Sequence, residues 1–347
     1  MPRLQAPQVE KIAADLLIGA GASAYEAAIV AKHSVEANLT GHDSHGIIQI
    51  PAYIDRIERG HIVPGAAIEV ISDTPTTTVV DGNWGFGYVV TEDVMKRTIA
   101  KAQTQNVAAA TVYRQGHVGR VADYPLMAAE AGLIGIMTAD SGRGPKAVAP
   151  FGGRAARLGT NPISIAVPSN LDGPFYFDLS TAAAAAGKVK LAQARGEQVP
   201  EGWVIDADGN STTDPAALSA GGALLPLGGE VGFKGYALAS MVEVLSALLT
   251  GLGFGVEPTG RHNDGCFIAA FKVEAFRSLE TFKQEVTEFA EYLVDTPPAE
   301  GFERVYYPGE VEHLKRQQRL QDGIEIEAAT WAKLQAVAQK YGVTIAA

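Results

Sequence analysis

A chain of 347 residues is long enough for one large α/β domain or two intimately joined ones, and either can bury a sizeable core. With 47% apolar residues, 19% charged residues and 38 glycines, it has the profile of a globular enzyme rather than of a disordered or fibrous chain. The net charge of −11, with no basic block, excludes nucleic acid and anionic membrane surfaces as expected partners, since both demand clustered Lys and Arg.

The opening stretch "MPRLQAPQVEKIAADLLIGAGAS" carries Glu10 and Asp15 among its apolar residues and turns amphipathic at once, which argues against a signal peptide. Helical spacing predicts helices over 7–20 and 24–39, leading into "GHDSHGIIQIPAYIDRIERG". Short β-rich runs "AIEVIS" and "TTTVVDG" follow, then a helix "TEDVMKRTIAKAQTQN" and a strand "VAAATVYR". This alternation predicts α/β architecture. "LIGIMTAD", "PISIAVPS" and "FYFDLST" are three further strands, each ending in the polar or small cluster where pockets form.

"TAAAAAGKVKLAQARG" reads as a plain helix kept soluble by Lys188, Lys190 and Arg195, and "DADGN" as the tip of a β-turn region. From 234, "KGYALASMVEVLSALLTGLGFG" is apolar nearly all round and predicts a helix buried in the core or in a subunit interface; Glu243 and its length argue against a membrane span. "DGCFIAAFKV" predicts a buried strand holding the single Cys266, which can form no internal disulfide and suits a reducing cytoplasm. The tail predicts two amphipathic helices, "LETFKQEVTEFAEYLVDT" and "EAATWAKLQAVAQKYG", either side of a loop "PPAEGFERVYYPGEVEHLKR".

The glycine runs "GNWGFGYVV" and "GGALLPLGGEVGFKGYA" do not form G-x-G-x-x-G between a strand and a helix, so an ordinary Rossmann fingerprint is absent. Neither a P-loop nor a G-x-S-x-G elbow is present. His42, Asp43 and His45 are ligand types, yet no C-x-x-C or H-E-x-x-H supplies further partners, and no metal is expected. His45 is either a polar residue after a helix C-terminus or an imidazole presented by a tight turn at Gly46. His117, bracketed by Gly116 and Gly119 after a strand, has room for a ligand and a pKa suited to reversible proton transfer; the blander alternative is a loop histidine bonded to backbone. Arg120 could grip a carboxylate or lie on the surface. Lys234, opening the apolar helix, suits a phosphate-bearing ligand, and Asp178 suits either a ribose hydroxyl or the N-cap of the Ala-rich helix.

Together and in order, "GHDSHGIIQIPAYIDRI", "GHVGRVADY", "VAPFGG", "LGTNPISIAVPS", "FDLST", "GKVKLA", "PEGWVIDADGNSTTDP", "LLPLGGEVGFKGYALASMVEVLSALLTG" and "YPGE" carry a resemblance over nearly the whole chain. The chain resembles the malate/L-lactate dehydrogenase family of NAD(P)-dependent oxidoreductases, which includes sulfolactate, ureidoglycolate and diketogulonate oxidoreductases and a cyclic-imine reductase. The resemblance implies a non-Rossmann, sulfolactate dehydrogenase-like α/β fold with a mixed sheet flanked by helices. It implies a homodimer with active sites near the subunit interface, and hydride transfer between a nicotinamide, NAD(H) ahead of NADP(H), and a 2-oxo or 2-hydroxy acid such as malate, lactate or sulfolactate. Residues 1–75 with about 295–347 are expected as a helical substrate and dimerisation part, interwoven with a cofactor-binding part over 76–294.

By motif match, His117 looks like the family's general acid and base. His45 is its rival, because some members assign the proton to the matching histidine. Ser44, Gln49 and Tyr53 match the substrate pocket. Ser141, Thr160, Asn161, Asp178, Leu179, Ser180, Thr181, Phe233, Lys234, Gly309 and Glu310 match cofactor-binding segments. One position departs: the arginine that usually follows the "SHG" histidine by four residues, and holds the substrate carboxylate, is Gln49 here, which brings no charge. Arg120, Arg143 or Lys146 is expected to take the anion, Arg120 first. The alternative readings are a metal-dependent lyase or hydrolase using His42, Asp43, His45 and His117, and a non-catalytic dimeric binding protein.

Overall fold

A computed structural model describes residues 1–140, 143–257 and 259–345. The chain opens with β1 (Arg3–Leu4), α1 (Ala6–Gly19), α2 (Ala24–Leu39) and α3 (Ile50–Glu58). α2 starts at a reciprocal capping box: Ser23 Oγ accepts the Glu26 N–H at 3.2 Å and Glu26 Oε2 accepts the Ser23 N–H at 2.9 Å. Next come β2 (Glu69–Asp73), β3 (Thr77–Gly85), α4 (Gly87–Gln105), β4 (Val107–Gln115), α5 (Asp123–Glu130), β5 (Leu133–Ala139), β6 (Ile163–Val167) and β7 (Phe175–Leu179). Then follow α6 (Ala186–Arg195), β8 (Val204–Ile205), β9 (Ser211–Thr212), β10 (Ala223–Leu224), α7 (Phe233–Glu243), β11 (Cys266–Lys272), α8 (Leu279–Val294), α9 (Glu310–Asp322), β12 (Ile324–Glu325) and α10 (Ala328–Tyr341).

The main sheet has seven strands in the order β2-β3-β4-β11-β5-β6-β7. β3 and β4 are parallel and joined by the crossover helix α4, while the other neighbours are antiparallel, so the sheet is mixed. β11 arrives from far along the chain and inserts between β4 and β5, with Cys266 opposite both Val112 and Ala139. Because it runs antiparallel to them, the residues entering β11 meet the residues leaving β4 and β5. That register builds the site described below.

One apolar core lies between α1, α2, α3 and α10 and reaches Phe86, Tyr88 and Val89 of the α4 start; a second lies on the main sheet around Val80, Met95, Tyr124 and Met137. A small third core holds Val148, Val189, Val204 and Leu224 beside β8 to β10.

Two sequence expectations are corrected by tertiary structure and a third is narrowed. The Ala-rich tract is helical only over Ala186–Arg195, because Thr181 and Ala183 give their N–H groups to Thr160 and Leu225 carbonyls instead; long-range hydrogen bonds outweigh alanine's propensity. The segment "EVEHLKR", read as loop, is the first half of α9, started by Gly309 at φ +95° and by Glu310, whose carboxylate accepts the Tyr307 N–H at 3.2 Å. Third, α7 and the helical turn beyond it bury only one face, with Ala239, Val242 and Ala247 in the core, while Met241, Val244, Leu248, Leu249 and Phe254 lie on the surface of the chain, so of the two expected settings the core alone does not account for this segment. Among the described residues, no helix is long and apolar enough to cross a membrane.

Candidate active site

β4 delivers Gly116 and His117 to one end of the sheet, and the residues entering β11, His262 to Asp264, come up beside them. Gly119 has φ +73° and any Cβ there would stand 2.1 Å from Cε1 of Tyr88, so the second glycine of "GHVG" makes room for that ring. Tyr88, at the start of α4, and Tyr53, in α3, are both fully buried. Their hydroxyls are 3.1 Å apart, and Tyr53 Oη lies 2.7 Å from His117 Nδ1. Tyr88 donates a long hydrogen bond, 3.4 Å, to the carbonyl of His45. A carbonyl can only accept, so Tyr88 donates to it, Tyr53 donates to Tyr88, and Tyr53 is left to accept from Nδ1–H of His117. This assigns the neutral ring the tautomer with its lone pair on Nε2.

His45 stacks against His117, with ring centroids 5.6 Å apart and planes 21° apart, and His262 meets His117 edge-on at 5.7 Å. Asp264 Oδ1 is 2.7 Å from His262 Nε2, and its Oδ2 accepts the Val118 N–H at 3.0 Å. Burial works against the Asp264 charge, but His262, His117 and that N–H outweigh it and hold the carboxyl below its usual range. For His117, burial dominates: despite the opposing pull of Asp264, it is pushed down to about 3, with His45, His262 and Arg56 adding to the drop. Burial likewise lowers His45 and takes His42 down to about 4. His117, His45 and His42 are therefore neutral imidazoles.

Around "GHDSHG", two short 3-10 turns, Asp43–His45 and Ile47–Gln49, carry the chain into α3. Gly46 is extended rather than left-handed. What it provides is space, since a Cβ would strike Asn38 at 2.3 Å, and Asn38 bridges the Asp43 carboxylate (2.7 Å) and the Ile47 N–H (2.8 Å). Ser44 Oγ lies 2.9 Å from His45 Nδ1, and Gln49 Nε2 donates to the Ser44 carbonyl at 2.7 Å. Asp43 faces Arg319, at 2.7 and 3.0 Å, so it does not converge with His42, His45 and His117. Among the described residues, no group of three or more His, Cys, Asp or Glu is arranged to hold a metal ion.

The cations proposed from sequence each already face a carboxylate. Arg120 is buried, with Nε 2.7 Å and Nη2 2.6 Å from Asp123 Oδ1 and Nη1 2.6 Å from Thr40 Oγ1. Its expected grip on a substrate acid finds no support in this arrangement, and it is not a surface residue. Arg143 lies 3.4 Å from Glu257 and Lys146 3.3 Å from Glu243.

Among the residues matched to cofactor segments, Ser141 lies outside the described residues. The Thr160 carbonyl accepts from the Thr181 N–H (2.9 Å) and from the Ser180 and Thr181 hydroxyls (3.1 Å each). Asn161, fully buried at φ +39°, donates to Ala239 O and Glu243 Oε2, while its Oδ1 is buried without a partner. Leu179 ends β7 beside Ile163. Asp178 does not cap α6, whose N-cap is Ala185 with no side-chain bond; its Oδ2 accepts the Ala122 N–H at 2.9 Å, at the start of α5, and burial raises it to about 6. Lys234 is exposed in the first turn of α7, Phe233 packs edge-on to Phe151 at 6.0 Å, and Gly309–Glu310 forms the start of α9 against β7.

Sequence reasoning missed Tyr88, His262, Asp264 and Arg56. The polar triplet "HND" immediately before the β11 strand was the one available signal for two of them.

The malate/L-lactate dehydrogenase family model matches residues 4–335. An L-lactate dehydrogenase from Cupriavidus necator is 35% identical, over 99% of both chains, and an L-sulfolactate dehydrogenase from Methanocaldococcus jannaschii is 36% identical, over 97% of this chain and 96% of its own. The crystal structure of malate dehydrogenase from Entamoeba histolytica superposes with a TM-score of 0.94 at 32% identity, over 99% of each chain. The chain belongs to the malate/L-lactate dehydrogenase family of oxidoreductases.

Proposed function

We propose that this dehydrogenase interconverts a 2-hydroxy acid and its 2-oxo acid, with His117 as the group that takes and returns the proton. The carrying observation is the half-buried His117 held through Nδ1 by Tyr53 at 2.7 Å, its pKa lowered so that the ring is neutral, which leaves Nε2 to face the substrate. In oxidation, His117 Nε2 accepts the hydroxyl proton, and Asp264 compensates the imidazolium that forms. In reduction the same nitrogen returns the proton to the developing alkoxide. His45 and Ser44 stand beside the ring to hydrogen-bond the reacting oxygen or the acid group.

A nicotinamide dinucleotide fits the residues present. Asn161 offers a buried, unpartnered amide oxygen, and the 11-residue α7 opens with an exposed Lys234 after Gly228, Gly229 and Gly232, a donor set suited to a diphosphate. Asn161, Asp178, Ser180, Thr181 and Lys234 would hold it, NAD(H) ahead of NADP(H). When bound, the nicotinamide supplies or accepts the hydride, while the protein orients the acid and moves the proton.

The exposed apolar face of α7 and its following turn supports a homodimer in which a second copy covers it. The division into a helical part (1–75 with about 295–347) and a cofactor part (76–294), and a cytoplasmic location, belong to the same proposal. The deciding experiment follows the near-ultraviolet absorbance of reduced nicotinamides with a panel of 2-oxo acids. Turnover insensitive to a chelator supports the reading. Turnover abolished by the chelator and restored by a metal favours the lyase or hydrolase alternative.

A further inference from the structure

We infer that Arg56 is the residue that anchors the carboxylate of the substrate, supplying from α3 the cation that Gln49 lacks. The inference rests on the 2-hydroxy acid reading above. Arg56 and Tyr53 are one helical turn apart in α3 and share a face, and Tyr53 is the residue bonded to His117. The guanidinium carbon of Arg56 lies 6.0 Å from the Tyr53 ring centroid, so the cation stands beside the wall on which the proton-transferring ring is mounted.

Its hydrogen bonding is incomplete. Nη1 of Arg56 is buried and has no partner, an unfavourable state for a charged donor unless something else completes it. Among the described residues, no carboxylate comes within ion-pair distance of Arg56, whereas Arg120, Arg143 and Lys146 face Asp123, Glu257 and Glu243. Gln49 is committed to the Ser44 carbonyl and brings no charge. A planar guanidinium with a buried free edge is the group best shaped for a carboxylate.

The charge of Arg56 is close enough to weaken the proton affinity of His117. A carboxylate seated on Arg56 would cancel that effect, making His117 more basic when an acid is in place. Anchoring the acid and readying the base would thus be one event.

The test is binding of oxamate, a non-reacting isostere of a 2-oxo acid, to the full chain by titration calorimetry, alongside steady-state kinetics with 2-oxo acids. Arg56→Gln is expected to raise the oxamate Kd at least about 10-fold, with partial recovery in Arg56→Lys. An unchanged Kd in Arg56→Gln, or no oxamate binding by the unsubstituted protein, overturns the inference. If Arg56→Gln does not fold, Arg56→Lys decides alone, because it loses the two-pronged contact; a Kd within twofold of the unsubstituted protein then overturns it. Oxamate held through Arg56 without turnover of any 2-oxo acid would sink the reaction and leave the anchor standing. Turnover with a KM untouched by Arg56→Gln would do the reverse.

Discussion

The Tyr53 hydroxyl lies 2.7 Å from Nδ1 of His117, so that Nε2 is the ring nitrogen the proposed proton transfer would use. Tyr53→Phe removes the acceptor for Nδ1–H and frees the ring to change tautomer or rotate. The expected outcome is a kcat lower by roughly 10- to 100-fold with KM little changed, because misplacement of a reacting group acts mainly on the chemical step. Loss of one hydrogen bond should cost about 1 kcal/mol of stability, so the melting transition separates this effect from unfolding. A kcat within twofold of the unsubstituted enzyme would remove Tyr53 from the positioning role.

His117 and His45 are stacked but unequal, because His117 is bonded through Tyr53 to a polar chain while His45 meets Ser44 alone. His117→Ala is expected to lower kcat by roughly 10²- to 10⁴-fold and His45→Ala by less. A larger loss from His45→Ala would assign the proton to His45.

The pH dependence follows from the lowered His117 value of about 3. A depressed histidine is a weaker base but stays neutral, and so able to accept a proton, down to that pH. For hydroxy-acid oxidation, kcat/KM should show no acid limb near the ordinary histidine range, about 6.5. An inflection there, lost in His117→Ala, would contradict the description of the free enzyme.

Stability has an alkaline component from another histidine. His33 is buried between Asp123 and Glu92, each 2.8 Å from a ring nitrogen. Burial opposes its charge, but the hydrogen bonds and charges of the two carboxylates outweigh burial and raise it to about 9. The folded value exceeds the unfolded one, so this stabilisation is complete below pH 6.5 and is lost as the pH rises through 9, of the order of 3 kcal/mol in all. His33→Gln should lower the melting temperature at pH 6 and flatten its decline between pH 7 and 9. An unaltered slope would place that decline elsewhere.

Lys234, exposed at the start of α7, should act on the dinucleotide alone. Lys234→Ala is expected to raise the cofactor KM roughly 10-fold, less so at high salt, and to leave the acid KM unchanged. The opposite pattern would move Lys234 to the acid pocket.

The strands β3 to β7 and β11 and the helices α1, α2 and α4 were legible because their apolar pattern matches the faces they bury, whereas β2, exposed throughout, was legible from its β-branched residues and α8, which fully buries only Ala290, from its amphipathic spacing. The α6 boundary was not, since Thr160 and Leu225 capture backbone donors from far along the chain. His117 announced itself by its place at a strand end. Its proximity to Asp264 depends on β11 inserting between β4 and β5, and its neighbouring glycine and its Tyr53 contact depend on Tyr88 of α4 and Tyr53 of α3 packing over the strand end, long-range contacts that local pattern does not carry. Arg120 shows the converse: adjacent to His117 in sequence, it turns inward to Asp123 and Thr40.

The most direct test of the account is the rate of reduced-nicotinamide oxidation with 2-oxo acids, measured side by side for the unsubstituted enzyme and for folded His117→Ala. Turnover by the first, with a kcat for the second lower by roughly 10²-fold or more, is the predicted result. Equal turnover by both would contradict the central claim that His117 carries the proton.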